Sequence, residues 1–421
     1  VYFAIFAVRE GKLNEKRRGN GMKKAVRIIL KGLCGVLTGA LVFVVATEFS
    51  PIYNFRKPQP FTGQDIFNPY RNLDTADMWK RAVFHVHTRV KGPWPVDESQ
   101  AWPQEVYDAY KKFGYDIVTF SNHNELTKHP FDSSLQVNVY EQGYSPYKFH
   151  KLVFGSKRVR HWDPLFPFLA SQKQFELDRL GKDSDFIQIN HPYRTWGMDR
   201  HNMESLSGYE IIELDSGKGT ENTYWDYALS AGHYSFGLAT DDLHDPYTSW
   251  RIARRCNFVC CPSPKYEDIK AALLGGAYYS MRIPDYGKGD WDQKYERNRE
   301  LPEVTGIGLK GDTLYIELSA KADSIRVTGQ GHRTLALGTE SAQMEYKMLP
   351  EDNYARFTAF FPGGEVIYSN PFARYDASIK DSPFNNAPQK INVLLTILFN
   401  GLLAALAAAL IWLFCAVVKK R

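Results

Sequence analysis

Apolar and polar positions divide the chain into three regimes. From Val26 to Thr47 it reads VRIILKGLCGVLTGALVFVVAT, broken only by Lys31, and from Ile391 to Val418 it reads INVLLTILFNGLLAALAAALIWLFCAVV without a charge. A hydrocarbon core needs about 20 consecutive apolar residues, so the second run predicts a transmembrane helix. The first predicts a membrane anchor or a signal peptide. Its basic lead (Lys23, Lys24, Arg27) fits either, and ATEFSP is a poor small-x-small cleavage site, which favours a retained anchor.

Between these ends, apolar runs alternate with amphipathic stretches: AVFHVHT, QEVYDAYKKFG, DIVTFSNH, HKLVFG, SQKQFELDRLG, DFIQINHP, GYEIIEL, YWDYALSAG, YSFGLATDD and YEDIKAALLGG. That rhythm predicts βα units and an α/β fold with a parallel sheet or barrel. Further on, TLYIELSA, SIRVTGQ, MEYKML, YARFTAFF and EVIYSN alternate with period two and have no helix between them, which predicts a small β-sandwich. The expected order is a basic tail (1–24), an anchor (25–49), a proline-rich tether (50–75), an α/β body (76–300), a β-sandwich (301–376), a second tether (377–390), a transmembrane helix (391–418) and a basic end (419–421).

Charge changes the picture at the ends. Residues 1–31 and the last three residues hold twelve of the 52 Lys and Arg but two of the 47 Asp and Glu, so residues 32–418 carry a net charge of −5. Basic flanks mark the cytoplasmic side of a span. Both ends are therefore expected in the cytoplasm and the body outside, in a cell (plasma or inner) membrane, with the lipid bilayer as a partner. A body without a net basic footprint excludes nucleic acid as an expected partner. Outside the apolar runs only Cys256, Cys260 and Cys261 remain, which allows one disulfide but indicates neither a disulfide framework nor a thiolate zinc site.

The histidines carry the candidate chemistry. In a strand, residues i and i+2 point the same way, so His85 and His87 in AVFHVHT project together. Two neutral imidazoles on one face suit a divalent metal. His123 follows DIVTFSN, His150 opens HKLVFG nine residues after Glu141, His191 ends DFIQIN, and Asp242 and His244 follow YSFGLAT. Most of these are carboxyl ends of expected strands, where parallel α/β folds build their sites. His129, His161, His201, His233 and His332 read as ordinary polar residues.

HVHT, SNHNE, the Glu141–His150 stretch, NHP and DDLH stand in the order of the PHP family, named for polymerase and histidinol phosphatase domains, which the chain resembles over about residues 80–285. It looks most like the branch of carbaryl-hydrolase-like metalloenzymes, whose tails often end in a β domain similar to this one through YSNP. The resemblance implies a distorted (β/α)7 barrel with two or three metals at its mouth. By position, His85, His87, Glu141 and Asp242 would hold the first metal, with Glu141 bridging to a second held by His150 and His191. A third would draw on His123 and His244. Phe84 and Asn122 stand where the family often has Asp, the loop histidine that usually completes the third metal has no counterpart, and Asp97 or Glu98 would have to substitute for it. Glu125 competes with Glu141 as the bridge.

Two metals about 4 Å apart polarise an ester oxygen and hold a hydroxide at neutral pH, so a metal-bridging hydroxide is the expected nucleophile. No GxSxG elbow offers an alternative. Zinc suits the nitrogen-rich set, and manganese or iron fits the mixed carboxylates nearly as well. Asp242, His244 and Arg194 are the expected catalytic residues, with Arg194, Arg89 or Lys91 placed to neutralise a phosphoryl group. The function expected is a membrane-anchored, extracytoplasmic, metal-dependent phosphoesterase acting on a small-molecule or lipid ester. The alternatives are an amide, carbamate or carboxylic-ester hydrolase on the same metals, and a non-catalytic binding protein with a degenerate site.

Overall fold

The structure is a computed structural model that describes residues 2–73, 78–90, 99–215, 221–286, 289–384 and 387–419, with the backbone alone for 2–21 and Glu221. It divides into two units, Val1–Ile52 with Ile391–Arg421, and Tyr53–Lys390.

The first unit consists of two helices, Tyr2–Thr47 and Val393–Lys419. Of these, Met22–Thr47 and Val393–Lys419 are long and apolar enough to cross a membrane. Their apolar side chains face outward: Leu37, Leu394, Leu402 and Trp412 are all more than half exposed. Exposing that much hydrocarbon to water is unfavourable, and lipid would cover it.

Among the described residues the second unit holds two large sheets. One has five strands in the order Val139–Gln142, Lys151–Phe154, Phe186–Ile189, Ile211–Asp215 and Phe236–Ala239. Each of them is buried along its whole length, including the polar residues Glu141, Gln142, Lys151, Gln188, Glu213 and Asp215. The last three are mutually parallel, whereas Lys151–Phe154 runs antiparallel to both of its neighbours. The second sheet runs from the hairpin Val304–Lys310 and Thr313–Gly329 through Tyr354–Phe360, Val366–Tyr368, Tyr278–Arg282, Arg255–Cys260 and Trp79–Val83 to Ile117–Val118. Two isolated parallel bridges, His123 to Glu141 and Val86 to Leu243, join strand ends across the two sheets.

The strands after Val304 continue the sheet of the α/β body. Val366–Tyr368 pairs antiparallel with Tyr278–Arg282, and the sheet continues through that pair. Period-two patterning identifies each strand but not its neighbour, and here the neighbours are some 85 residues apart in the chain. The stretch read as a first tether also packs on the body. Phe61, Phe67 and Tyr70 are buried, and Asp65–Phe67 pairs with Phe372–Tyr375. All five cysteines are free thiols.

Candidate metal centre

The strand Trp79–Val83 runs out into HVHT, where the expected alternation holds. Phe84 is fully buried and packs on Phe154, with ring centroids 6.1 Å apart, while His85 and His87 share the other face with their Nε2 atoms 3.3 Å apart. Val86 between them bridges to Leu243, and the His87 backbone N–H donates to the Leu243 carbonyl (2.8 Å), which brings the DDLH loop beside HVHT. That loop divides its two aspartates. Asp241 accepts from the backbone N–H groups of Ala253, Arg254 and Arg255 and from the Tyr110 hydroxyl, and so fixes the loop. Asp242 turns into the site with a left-handed φ of +46°, and His191 has a φ of +26°. Such conformations in non-glycine residues concentrate where function demands an exact side-chain position.

Glu141 stands at the middle. Its Oε2 lies 3.2, 3.1 and 3.0 Å from the Nε2 atoms of His85, His87 and His123. Its Oε1 lies 3.2 Å from His150 Nδ1 and 3.3 Å from His191 Nε2, and it accepts from Asn190 Nδ2 (2.8 Å). His150 opens its strand, yet it joins residues that end theirs because Lys151–Phe154 runs antiparallel to its neighbours. Asp242 Oδ1 lies 3.3 Å from His85 Nε2 and 3.2 Å from His87 Nε2, and its Oδ2 pairs with Arg194 Nη1. Two donor groups result, His85 with His87, Glu141 and Asp242, and His123 with Glu141 and His150, each with its ligand-type atoms within 4.8 Å of one another. His244 lies at the rim: its ring centroid is 4.3 Å from that of His87, and its Nδ1 is 2.9 Å from the Asp242 carbonyl oxygen. Neither group includes Glu125, which lies near the Thr127 hydroxyl (3.4 Å). Arg89 is exposed, its guanidinium over the Trp102 ring at 4.9 Å. Lys91, Asp97 and Glu98 lie outside the described residues.

The donors fit a metal. His85 Nδ1 faces the Glu213 carboxylate at 3.1 Å, so Nδ1 carries the proton of the neutral ring and Nε2 presents its lone pair. That lone pair meets two carboxylate oxygens and a second imidazole nitrogen, an arrangement only a proton or a cation can hold together. Five of the six separations among these four atoms are 3.1–3.3 Å, a spacing at which one small divalent cation would be within reach of them together.

Electrostatics agree with a site built for positive charge. Burial would raise the carboxyl pKa of Glu141, but the imidazoles of His123, His85 and His150 outweigh it and hold the group well below its usual range. Asp242 is likewise held low against burial, chiefly by His85. Burial would lower the pKa of His85, yet Glu141, Asp242 and Glu213 raise it well above the usual value. Burial lowers His150 to about 4, which leaves its imidazole neutral at physiological pH.

Sequence reasoning missed Glu213, which is fully buried in Ile211–Asp215 and also accepts from Thr240 Oγ1 and the His191 backbone N–H. A carboxylate inside the apolar run GYEIIEL was the available signal. It missed Asn190 too, which orients Glu141. Asn122 is a structural tie, accepting from the Thr88 backbone N–H (2.6 Å) and donating to the Thr88 and Thr127 hydroxyls.

The fold and site together define an α/β protein with a buried centre of five histidines on one glutamate and an aspartate beside it. No protein-family model matches the chain, and no curated protein matches it significantly. Among solved structures it is similar to a two-domain protein from Bacteroides vulgatus described as containing a predicted PHP-like metal-dependent phosphoesterase, at 13% identity and a TM-score of 0.36 over 76% of this chain and 100% of that one. It is also similar to a lesion-specific endonuclease from Pyrococcus furiosus, at 14% identity and a TM-score of 0.32 over 48% of this chain and 57% of that one. Likeness of this degree assigns no activity, which has to be read from the donors themselves.

Proposed function

We propose that the chain is a membrane-anchored, metal-dependent phosphoesterase of PHP type, with its body outside the cytoplasm. One observation carries the reading: the two oxygens of Glu141 serve separate sets of imidazoles, as a carboxylate shared by two metal positions would. The first position would be held by His85, His87, Glu141 and Asp242, and the second by Glu141 with His150 and His191, while His123 meets Glu141 on the oxygen that faces the first position. The nitrogen-rich donors favour zinc. The two cross-sheet bridges support placing both positions at the mouth of a distorted seven-stranded barrel.

Bound divalent metal would polarise a phosphoryl oxygen and activate water at neutral pH. The remaining work falls to the chain. Glu213 fixes the tautomer of His85, and Asn190 fixes Glu141. Arg194 holds Asp242 Oδ2 and keeps further N–H donors with which to meet phosphoryl oxygens. His244, the most exposed imidazole of the set, is placed to pass a proton to a leaving group or to solvent.

The test is hydrolysis of aryl phosphate monoesters and diesters by the metal-loaded full chain, beside aryl carboxylic esters and amides. Phosphate-ester turnover that Asp242→Ala abolishes is expected. Turnover of the carboxylic esters or amides alone would move the reading to that class, and turnover of neither would leave a binding protein. Protease protection of the basic ends in right-side-out vesicles tests the orientation.

A further inference from the structure

We infer that the aromatic cluster of half-buried Tyr147 and exposed Phe166, Phe168 and Trp196 sits in the headgroup layer of the bilayer, so that the metal centre takes phosphoesters held at the membrane surface. This rests on the proposal that the two apolar helices cross a membrane and that the centre cleaves phosphoesters.

The four rings form one patch. Tyr147 lies at its middle, 4.8 Å from Phe168, 4.9 Å from Trp196 and 5.5 Å from Phe166, centroid to centroid. Trp196 is 69% and Phe168 52% exposed, and Leu169 beside them is exposed as well. Such rings are costly in water, and tryptophan and tyrosine suit the boundary between hydrocarbon and water.

The patch stands on the loops that carry two of the metal-site histidines. Asn190, which precedes His191, donates its backbone N–H to the His150 carbonyl (3.0 Å), Thr195 Oγ1 donates to the Lys148 carbonyl (2.7 Å), and the Trp196 N–H donates to the Tyr147 carbonyl (2.9 Å). The two segments thus run side by side from the centre to the rings. Tyr147 and His150 are three positions apart in the chain, a span of at most about 11 Å.

The same edge of the body is where the chain leaves for the apolar helices. Tyr53 donates its backbone N–H to Ser171 Oγ (3.0 Å) and its hydroxyl to Asp178 (2.7 Å), both on the helix Ala170–Leu180 that directly follows Phe168 and Leu169. Residue 53 comes six after Thr47, where the first apolar helix ends, so at most about 21 Å of chain joins them. At the other end, Gln389 donates to the Ser205 carbonyl and the Ser207 hydroxyl, and Gln174 of Ala170–Leu180 donates to the Ser207 carbonyl. Val393, the first residue of the second apolar helix, follows four residues later. Both short leads leave from beside one helix whose approach carries the rings, so a bilayer crossed by both helices lies within reach of the patch.

The test uses the full chain reconstituted into phosphatidylcholine vesicles with and without lipids brominated on the acyl chain, which quench tryptophan fluorescence on contact. Trp412, within Val393–Lys419, reports the span, and Trp196 reports the patch. A quenched signal that shrinks in Trp412→Phe and shrinks again in Trp196→Phe supports the inference. A signal that shrinks in Trp412→Phe but not in Trp196→Phe overturns it and leaves the span intact. A signal that shrinks in neither overturns the span and the inference together. Circular dichroism and metal content of Trp196→Phe, expected to be unchanged at so exposed a position, exclude misfolding. For the substrate class, Phe168→Ser is expected to raise KM severalfold for a phosphoester carried on vesicles with kcat maintained, and an equal KM would overturn that part.

Discussion

Replacing Glu213 by Gln keeps the volume of the side chain and removes its charge, and the consequences follow from its partners. Oε1 faces His85 Nδ1 at 3.1 Å and accepts from Thr240 Oγ1, while Oε2 accepts from the His191 backbone N–H. An amide has one acceptor oxygen and one NH2 group, so whichever way it turns, a donor meets a donor in a fully buried place. A buried donor left unsatisfied costs about 1–3 kcal/mol. Loss of the partner that orients a metal-ligating imidazole costs about 10–100-fold in metal affinity, or about 1.4–2.7 kcal/mol. The assay is competition for zinc between the protein and a chromophoric chelator, with thermal unfolding of the metal-free protein alongside. A dissociation constant raised about tenfold or more is expected, together with a lower Tm. Thr240→Val, which removes only one of the three donors, should change the affinity less. A folded Glu213→Gln protein that binds zinc as tightly as the wild type would refute the orienting role of Glu213.

Arg194→Lys is expected to lower kcat/KM for a phosphate ester about 100-fold with metal content retained, because a point charge does not reproduce the guanidinium's fork between Asp242 and a phosphoryl oxygen; steady-state kinetics check this. Asp226 accepts from Arg356 and from the Tyr354 hydroxyl in the interior, so Asp226→Asn should cost about 3–5 kcal/mol by leaving the guanidinium unpaired, and an added Arg356→Met should recover part of it in denaturant unfolding. Burial lowers the pKa of Lys173 from 10.5 to about 8. Between those values the unfolded chain binds more protons than the folded one, so stability should rise as pH increases from about 8 to about 10.5, and Lys173→Met should remove that rise in urea titrations at the two ends of the window.

The local pattern of the sequence carried much of the site. Alternation in HVHT placed two imidazoles on one face and sent Phe84 to the core, so Phe84 does not intrude on the donors. Strand ends gathered His123, His191 and Asp242, but the choice between Glu141 and Glu125 needed three dimensions, since both follow short apolar runs and only the register of Val139–Gln142 brings one of them among the imidazoles. Glu213 was hidden because a buried carboxylate and the imidazole it orients lie 128 positions apart. Sheet order was illegible for a related reason: strands such as Val366–Tyr368 find their partners through burial on both faces, which patterning records as apolar character without a direction. The aromatic residues of 50–75 have no period and so concealed their burial.

Sharing of Glu141 between two metal positions has a direct consequence for the metal content of the chain. Elemental analysis of the full chain, purified and dialysed against buffered zinc, tests it most directly when the wild type and Glu141→Ala are measured side by side. Two metals per chain are expected in the wild type and fewer than one in the variant. Fewer than one metal in the wild type, or the same content in both proteins, would contradict it.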